Sequence, residues 1–456
     1  MAIKDLLRNL PEVRKPIEKK LSFNVKLKWT LIVLVSFFVL ANIPLFGLAK
    51  NALSRFEYLA IILGTDFGSI ISLGVGPIVM ASIILQLLVG AQILKIDTKS
   101  EEGKKYFQAL QKLLVFFFVI FEASVYVLMR GLEALPGLSW IVILQLCMGG
   151  LIIVFLDEVS SKWGFGSGVS LFIAAGVGWR LFAQLFQFIG SVGGQISIQP
   201  SGKILVMIMS IMGGDITSAL KAGVAIAVTA LIFLFVVFAQ SLKVEVPLSY
   251  DRLRGYGIKW PLSFFYASVI PVILTSALIA NISLFAGILE NWLGHATILG
   301  GFSQGQAISG LAFWVSGSNL VELAITGSLR MVQLFQGAAH LLAYVVLSTV
   351  FAIFWVKTSG MDAASQAKNI MSSGLQIPGF RKDERVLESV LERYVLPLTV
   401  MGGIGIGILA AAADLLGALT SGTAILLGVM IMYQFYNSIS QQHALDMHPM
   451  MKKMVA

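Results

Sequence analysis

Cysteine is almost missing from this chain of 456 residues: Cys147 stands alone, which excludes a disulfide framework and a thiolate metal cluster. Charge is scarce as well. Asp, Glu, Lys and Arg make up 12% of the residues, against about a quarter in soluble domains, while 57% are hydrophobic and mean hydropathy is +0.86. That balance defines a polytopic membrane protein. Catalytic patterns are missing too. Gly164-Phe-Gly-Ser167-Gly168 is not a G-x-S-x-G nucleophile turn, and the four histidines, His295, His340, His443 and His448, are remote from it in sequence. There is no Walker motif, so any energy source lies outside the chain. Gly403-Ile-Gly-Ile-Gly407 imitates a nucleotide loop but sits in an apolar span, where small residues let helices approach closely. Asp157 and Glu158 have no His or Cys companion and read as a helix cap or a balance for Lys162. No catalytic residue, metal or cofactor is expected. The first 28 residues are charged and amphipathic without a central apolar core, so they do not read as a cleavable signal peptide.

What is present is long apolar sequence. About 20 apolar residues cross some 30 Å of hydrocarbon. Ten such segments are expected, at 29 to 48, 77 to 92, 108 to 129, 138 to 156, 167 to 189, 222 to 240, 261 to 285, 338 to 356, 395 to 416 and 421 to 437. An even count places both termini on one side. Of the 33 Lys and Arg, 26 fall with the termini and alternate loops and 7 with the other set, so the positive-inside rule makes both termini cytoplasmic.

The net charge of +9 gathers on that face. Two basic loops there, Lys243 to Lys259 and about Lys357 to Arg393, exceed what a helix connection needs. They read either as a solvated cluster that sets orientation or as a docking surface for a large polyanion such as ribosomal RNA; charge alone does not separate the two. The opposite loops, 190 to 221 and 286 to 337, carry little charge, place Trp292 and Trp314 at interfacial positions, and read as packed caps or re-entrant pieces.

The most informative stretch is Gly68 to Gly90, apolar but interrupted by Gly74, Gly76 and Pro77, where the helix should break and restart at Pro77. Non-helical backbone at membrane depth survives only where protein buries it or water reaches it, so this span points to a cavity or pore. Pro77 in the second span and Pro271 in the seventh suggest two inverted halves with a site between them.

Ile71-Ser-Leu-Gly-Val-Gly-Pro-Ile-Val79 with Gln86-Leu-Leu-Val-Gly90, and Leu156-Asp-Glu-Val-Ser-Ser-Lys162 continuing to Gly176, resemble the SecY family of protein translocase subunits, equivalent to the α subunit of the eukaryotic translocon. The likeness covers essentially the full length. Pro378-Gly-Phe-Arg381-Lys382 and Arg393-Tyr-Val-Leu-Pro-Leu-Thr-Val400 look closer to the archaeal and eukaryotic branch.

The resemblance implies an all-α fold of ten transmembrane helices in two inverted, pseudo-symmetric halves around a central pore. Its parts would be an N-terminal arm (1–28), a first half (29–189) with a plug at about 55–66, an external linker (190–221), a second half (222–437) and a cytoplasmic tail (438–456). The family's pore ring falls on Val75, Val79, Val169, Ile173, Ile273 and Leu427. A lateral gate would open between spans two and three and spans seven and eight, with Glu122 and Asn281 at its polar positions and Met80 where a hydroxyl residue is usual. Docking positions match Arg252 and Arg381, with Arg254 and Lys382 beside them. The implied function is a protein-conducting channel that moves unfolded secretory polypeptides across the membrane and releases apolar segments into lipid. Implied partners are two small membrane subunits like SecE and SecG or β, a translating ribosome, signal peptides and nascent chains, and membrane lipid, but not DNA.

The rival reading is a secondary solute transporter, which would place ionisable groups at midplane for ion coupling. Glu122 is the candidate for that role, with Arg180, Lys221 and Asp414 nearer the interfaces; a neutral or hydrogen-bonded packing role for Glu122 stands beside it.

Overall fold

The computed structural model describes residues 10–17, 21–53, 60, 64–90, 93–94, 96, 100–188, 190–192, 195–197, 201–250, 257–267, 269–303, 306–372, 375–376 and 383–447. The first five apolar helices are α1 (Phe23–Ala41), α2 (Gly76–Gly90), α3 (Glu101–Leu128), α4 (Ser139–Trp163) and α5 (Gly168–Phe186). Strands β1 (Leu48–Asn51) and β2 (Leu132–Ala134) pair between them. The connection to the second half holds β3 (Gly190–Val192), β4 (Gln195–Ser197) and helix α6 (Lys203–Met212). There follow α7 (Ile216–Ser241), the hairpin β5 (Lys243–Tyr250) and β6 (Gly257–Ser263), and α8 (Ile270–Leu293). A cap of β7 (Gly301–Ser303), β8 (Gln306–Ser309), α9 (Gly310–Val315) and α10 (Leu320–Ile325) precedes α11 (Met331–Thr358). The chain ends with α12 (Ala363–Ser372), β9 (Leu375–Gln376), α13 (Glu384–Leu415) and α14 (Gly422–Met447).

Among the described residues nine helices are long and apolar enough to span, and α2 is the short tenth. Its 15 residues reach about 22 Å, less than the hydrocarbon thickness. Residues 64–75 make up the difference as turns whose polar groups are satisfied locally. Thr65 Oγ1 donates to Ile71 O (2.6 Å), Ser72 Oγ to Ser69 O (2.6 Å), and Asn51 Nδ2 to Phe67 O (2.8 Å). Gly74 takes φ +54°, a left-handed angle that favours glycine, immediately before the restart at Gly76 and Pro77.

Most expected spans shift at their edges, the third, eighth, ninth and tenth helices extending beyond the expected ends, and two shifts have a clear local cause. The first ends at Ala41, not residue 48, because Pro44 and Gly47 (φ +83°) turn the chain into β1. The seventh begins at Ile270, not 261: residues 257–263 form β6 instead, and Pro271 supplies the helix start. In the expected linker, 190–221, α6 runs into α7, whose helix already starts at Ile216.

The two basic loops meet. β6, β5 and β9 form one three-stranded sheet, with β5 pairing β6 from Lys243↔Ser263 to Ser249↔Gly257 and pairing β9 through Ser249↔Gln376. Val246, Leu262, Tyr266, Val356, Val395 and Leu398 bury the inner side of this projection against α11 and α13. The segment before α1 and the last described turns of α14 lie together. Gln442 of α14 donates to Leu21 O (3.1 Å) and accepts from Lys26 (3.0 Å).

The halves meet along two seams: α2 against α8 and α11, and α5 against α14. At the centre is α8, with 78% of its most apolar stretch buried, whereas α1, α5 and α7 bury 11 to 17% of theirs and leave the rest to lipid.

Candidate functional site

Four of the expected ring residues follow a helix start at matched offsets. Val79 comes two residues after Pro77 at the opening of α2, and Ile273 two residues after Pro271 at the opening of α8. Ile173 comes five residues after Gly168 at the start of α5, and Leu427 five residues after Gly422 at the start of α14. Equal offsets in the two halves bring the four side chains into register. All four, with Val75, are buried in one apolar cluster, and half-buried Val169 packs against it.

A cavity of about 410 Å³ opens on one side of that cluster, with Val79, Val169 and Ile273 in its wall. Its remaining lining is mixed: Ile78, Phe107, Ile270, Leu274 and Trp355 are apolar, and Ser82, Gln86, Gln108, Gln111, Asp157 and Ser170 are polar. On the other side, Gly64 (φ +53°) is close-packed on α5: a Cβ there would lie 3.5 Å from Phe172 Cβ and 3.7 Å from the Ile173 nitrogen. Most of the expected plug, 55–59 and 61–63, lies outside the described residues; Ala60 is helical and buried.

The expected gate residues share the interface of α2, α3 and α8. Glu122 is fully buried beneath the start of α2, where a Cβ on Gly76 would stand 3.0 Å from its Oε2. Both of its carboxyl oxygens are without a hydrogen-bond partner, so the hydrogen-bonded role is not the one it has here. Asn281 is buried, donates to Ala277 O (2.9 Å) and leaves Oδ1 without a partner. Met80 packs beside them on the apolar cluster of α3, α4 and α8. At the end of the seam, the ring of Phe354 from α11 covers Gly90 of α2.

Asp157 and Glu158 divide their work. Asp157 caps α5, and Glu158 pairs with Lys112 and with Lys162 (3.2 Å) while accepting from Val13 N (2.9 Å). The arm is held further by Lys162 Nζ on Val13 O (2.7 Å) and Trp163 Nε1 on Arg14 O (2.9 Å). A second buried polar group, unseen in the sequence, joins His340 to Asp414 across 3.5 Å although 74 positions separate them. His340 Nδ1 lies 2.6 Å from Val315 O, and Asp414 accepts from Thr423 N at 2.8 Å. Among the described residues no group of three His, Cys, Asp or Glu could hold a metal.

The expected docking residues Arg252, Arg254, Arg381 and Lys382 lie outside the described residues. The sheet beneath them is braced by Lys259 and Glu245 (2.6 Å), and that hydrogen bond and the charge beside it push the Lys259 ammonium above its usual range.

A polytopic bundle with an open cavity closed by aliphatic side chains from both halves is a membrane channel of the protein-conducting class. The SecY family model matches residues 69–436, and the chain belongs to that family. It is 43% identical to the protein translocase subunit SecY of Methanothermobacter thermautotrophicus over 97% of this chain and 96% of that one. Identity to the Pyrococcus furiosus subunit is 38%, over 98% and 97%. Among solved structures, one described as "The structure of a protein conducting channel" aligns with TM-score 0.83 and 36% identity over 98% of both chains. "Sec61 in the Canine ribosome-channel complex from the endoplasmic reticulum" aligns with TM-score 0.79 and 34% identity, again over 98% of both. These relatives are channels, and the solute-transporter reading finds no support in them.

Proposed function

We propose that this chain is the channel-forming subunit of a protein translocase, passing unfolded secretory polypeptide through its centre and apolar segments sideways into lipid. The observation that carries the reading is the aliphatic cluster beside an open cavity, drawn in matched register from both halves. A translocated chain varies in sequence, so a conduit without preferred hydrogen bonds suits it, and a narrow apolar constriction dewets and resists ions. The six residues Val75, Val79, Val169, Ile173, Ile273 and Leu427 are the pore ring of this reading, and the segment at about 55–66 is its plug.

Met80, Glu122 and Asn281 mark the lateral gate at the seam of α2 and α3 with α8 and α11. Lipid then acts as selector: Leu or Ile near mid-membrane gains a few tenths of a kcal/mol, whereas Asp, Lys or Arg costs roughly 2.5 to 3.5 kcal/mol. The termini and the three-stranded projection face the cytoplasm, in keeping with the charge bias. The parts divide at 1–28, 29–189, 190–221, 222–437 and 438–456. The chain acts as a conduit, not as an enzyme, with the driving force supplied by partners. Two small membrane subunits and a translating ribosome are those partners, the ribosome meeting Arg252, Arg254, Arg381 and Lys382 on the basic projection.

Single cysteines at the six ring positions, in vesicles carrying a polypeptide arrested in transit, test the reading. Crosslinks from all six to the arrested chain are expected, with none from Trp140, an exposed residue on α4. Crosslinks absent from the ring would remove the pore assignment. Reversing Arg252 and Arg381 together is expected to weaken ribosome binding and flatten its salt dependence; unchanged affinity at every salt concentration would leave those residues an orienting role alone.

A further inference from the structure

The helices α5 and α14 each begin with a backbone amide held by an aspartate of the preceding helix, although in α14 Ser421 Oγ also caps, accepting from Ala424 N (3.2 Å). Ser167 stands at the N-cap of α5, yet its side chain does not cap the helix. The exposed backbone amide is met instead from the preceding helix, where Asp157 Oδ1 accepts from Val169 N (3.0 Å) and from Ser167 Oγ (3.2 Å). In the other half, Asp414 Oδ1 accepts from Thr423 N (2.8 Å) and its Oδ2 from the Thr423 hydroxyl. In each case the capped amide follows a glycine that lets the two helices touch. A Cβ at Gly168 would lie 2.6 Å from Asp157 Cα, and one at Gly422 would lie 2.0 Å from the carbonyl carbon of Ala413. Neither glycine tolerates a side chain without moving a helix.

From the capped amide to the aliphatic cluster is one turn in both halves: Val169 to Ile173, and Thr423 to Leu427. The two helices then pack on each other, with Gly428 against Val177. Because α5 and α14 run in opposite directions, one cap acts from each end of the membrane. Asp414 is itself steadied among His340 (3.5 Å), Thr423 and, through the Thr423 hydroxyl, Tyr344.

We propose that Asp157 and Asp414 are a matched pair of positioning residues that fix the depth and rotation of α5 and α14, and so set the closed width of the ring at Ile173 and Leu427. The inference rests on the pore-ring reading. A cap outside the helix's own sequence holds its start to a fixed point on a neighbour, which an ordinary Ser or Thr cap does not. Loss of such a bond changes the population of a displaced helix start by about fivefold.

The test is conductance of the full-length protein, purified with its bound subunits, in planar bilayers. The readouts are the resting conducting fraction and the largest organic cation that permeates, with thermal unfolding measured alongside. Asp157→Ala and Asp414→Ala are each expected to raise the conducting fraction about fivefold and to admit larger cations. Asp157→Asn and Asp414→Asn keep an acceptor and are expected to behave as the parent. If an alanine variant does not fold, Asp→Glu, which keeps acceptor and charge but lengthens the side chain by one carbon, is expected to leak while unfolding near the parent's temperature. Tight alanine or glutamate variants, or asparagine variants that leak as much as alanine, would overturn the proposal. Ile173→Gly and Leu427→Gly separate the two readings. If they leak while the aspartate variants stay tight, the ring stands and the positioning role falls; if they change neither readout, the ring assignment itself is wrong.

Discussion

Glu122 and Asp157 are both carboxylates in a membrane helix, and their surroundings assign them opposite tasks. Asp157 spends its oxygen on Val169 N and Ser167 Oγ, whereas both oxygens of Glu122 lie buried with no hydrogen-bond partner. A buried group left this way costs about 1 to 3 kcal/mol, which makes the interface of α2, α3 and α8 less stable than its packing alone would. Glu122→Met, similar in volume, is therefore expected to raise thermal stability by about 1 to 3 kcal/mol and to slow the sideways release of weakly apolar segments. Calorimetry on the purified protein checks the first effect; a fall in stability would mean that the carboxyl has a partner after all. Sequence reading found Glu122, Asp157 and Glu158 because charge is rare in apolar runs. It missed the role of Asp414 and its neighbour His340, since nothing local records that residues 74 positions apart meet in the fold. The available signal was the repeated Ser-Gly pair at 167–168 and 421–422, each preceded by an aspartate at a helix end.

At the scale of elements, hydropathy marked every spanning helix, because apolar length is a property of contiguous sequence. The edges were harder. Lys243-Val-Glu-Val-Pro-Leu-Ser-Tyr250 alternates in the manner of a strand, but Trp260-Pro-Leu-Ser-Phe-Phe-Tyr266 is apolar enough to merge with the span behind it. The sheet that joins the two basic loops depends on β9, more than a hundred residues from β5, and no periodicity reports such a pairing. The proposed plug belongs to this scale too. Gly64 anchors its far end on α5 beside Ile173. Deleting residues 57–65 is expected to leave the protein folded and able to translocate, but with intermittent ion leak at rest. Bilayer recordings of the deletion decide it, and a variant as silent as the parent would end the case for a plug.

For the whole molecule, the seam of α2 with α8 and α11 differs from the rest of the bundle in what holds it shut. There the contacts are apolar, with Phe354 lying across Gly90. Cysteines at Gly90 and Phe354, joined by oxidation or a short bismaleimide, are expected to stop lateral insertion of apolar segments, and reduction of the disulfide to restore it. Insertion that continues after complete joining, measured by protease protection in vesicles, would move the exit elsewhere.

The N-terminal arm lies away from that seam. It is bonded to Glu158, Lys162 and Trp163 of α4 in one half and to Gln442 of α14 in the other, and α1 packs on α4, α5 and α14 beside it. In the proposed lateral gate, the arm is mechanically a clasp on the hinge side of a pair of jaws. With the rear fastened by several directed bonds and the mouth closed mainly by apolar contact, with Asn291 Nδ2 donating to Arg130 O (2.7 Å) at its outer end, rotation about the rear opens the front furthest, as displacement grows with distance from a pivot. An apolar guest wedged at the mouth re-covers the surfaces it parts, so the jaws exchange one contact for another and close again behind it.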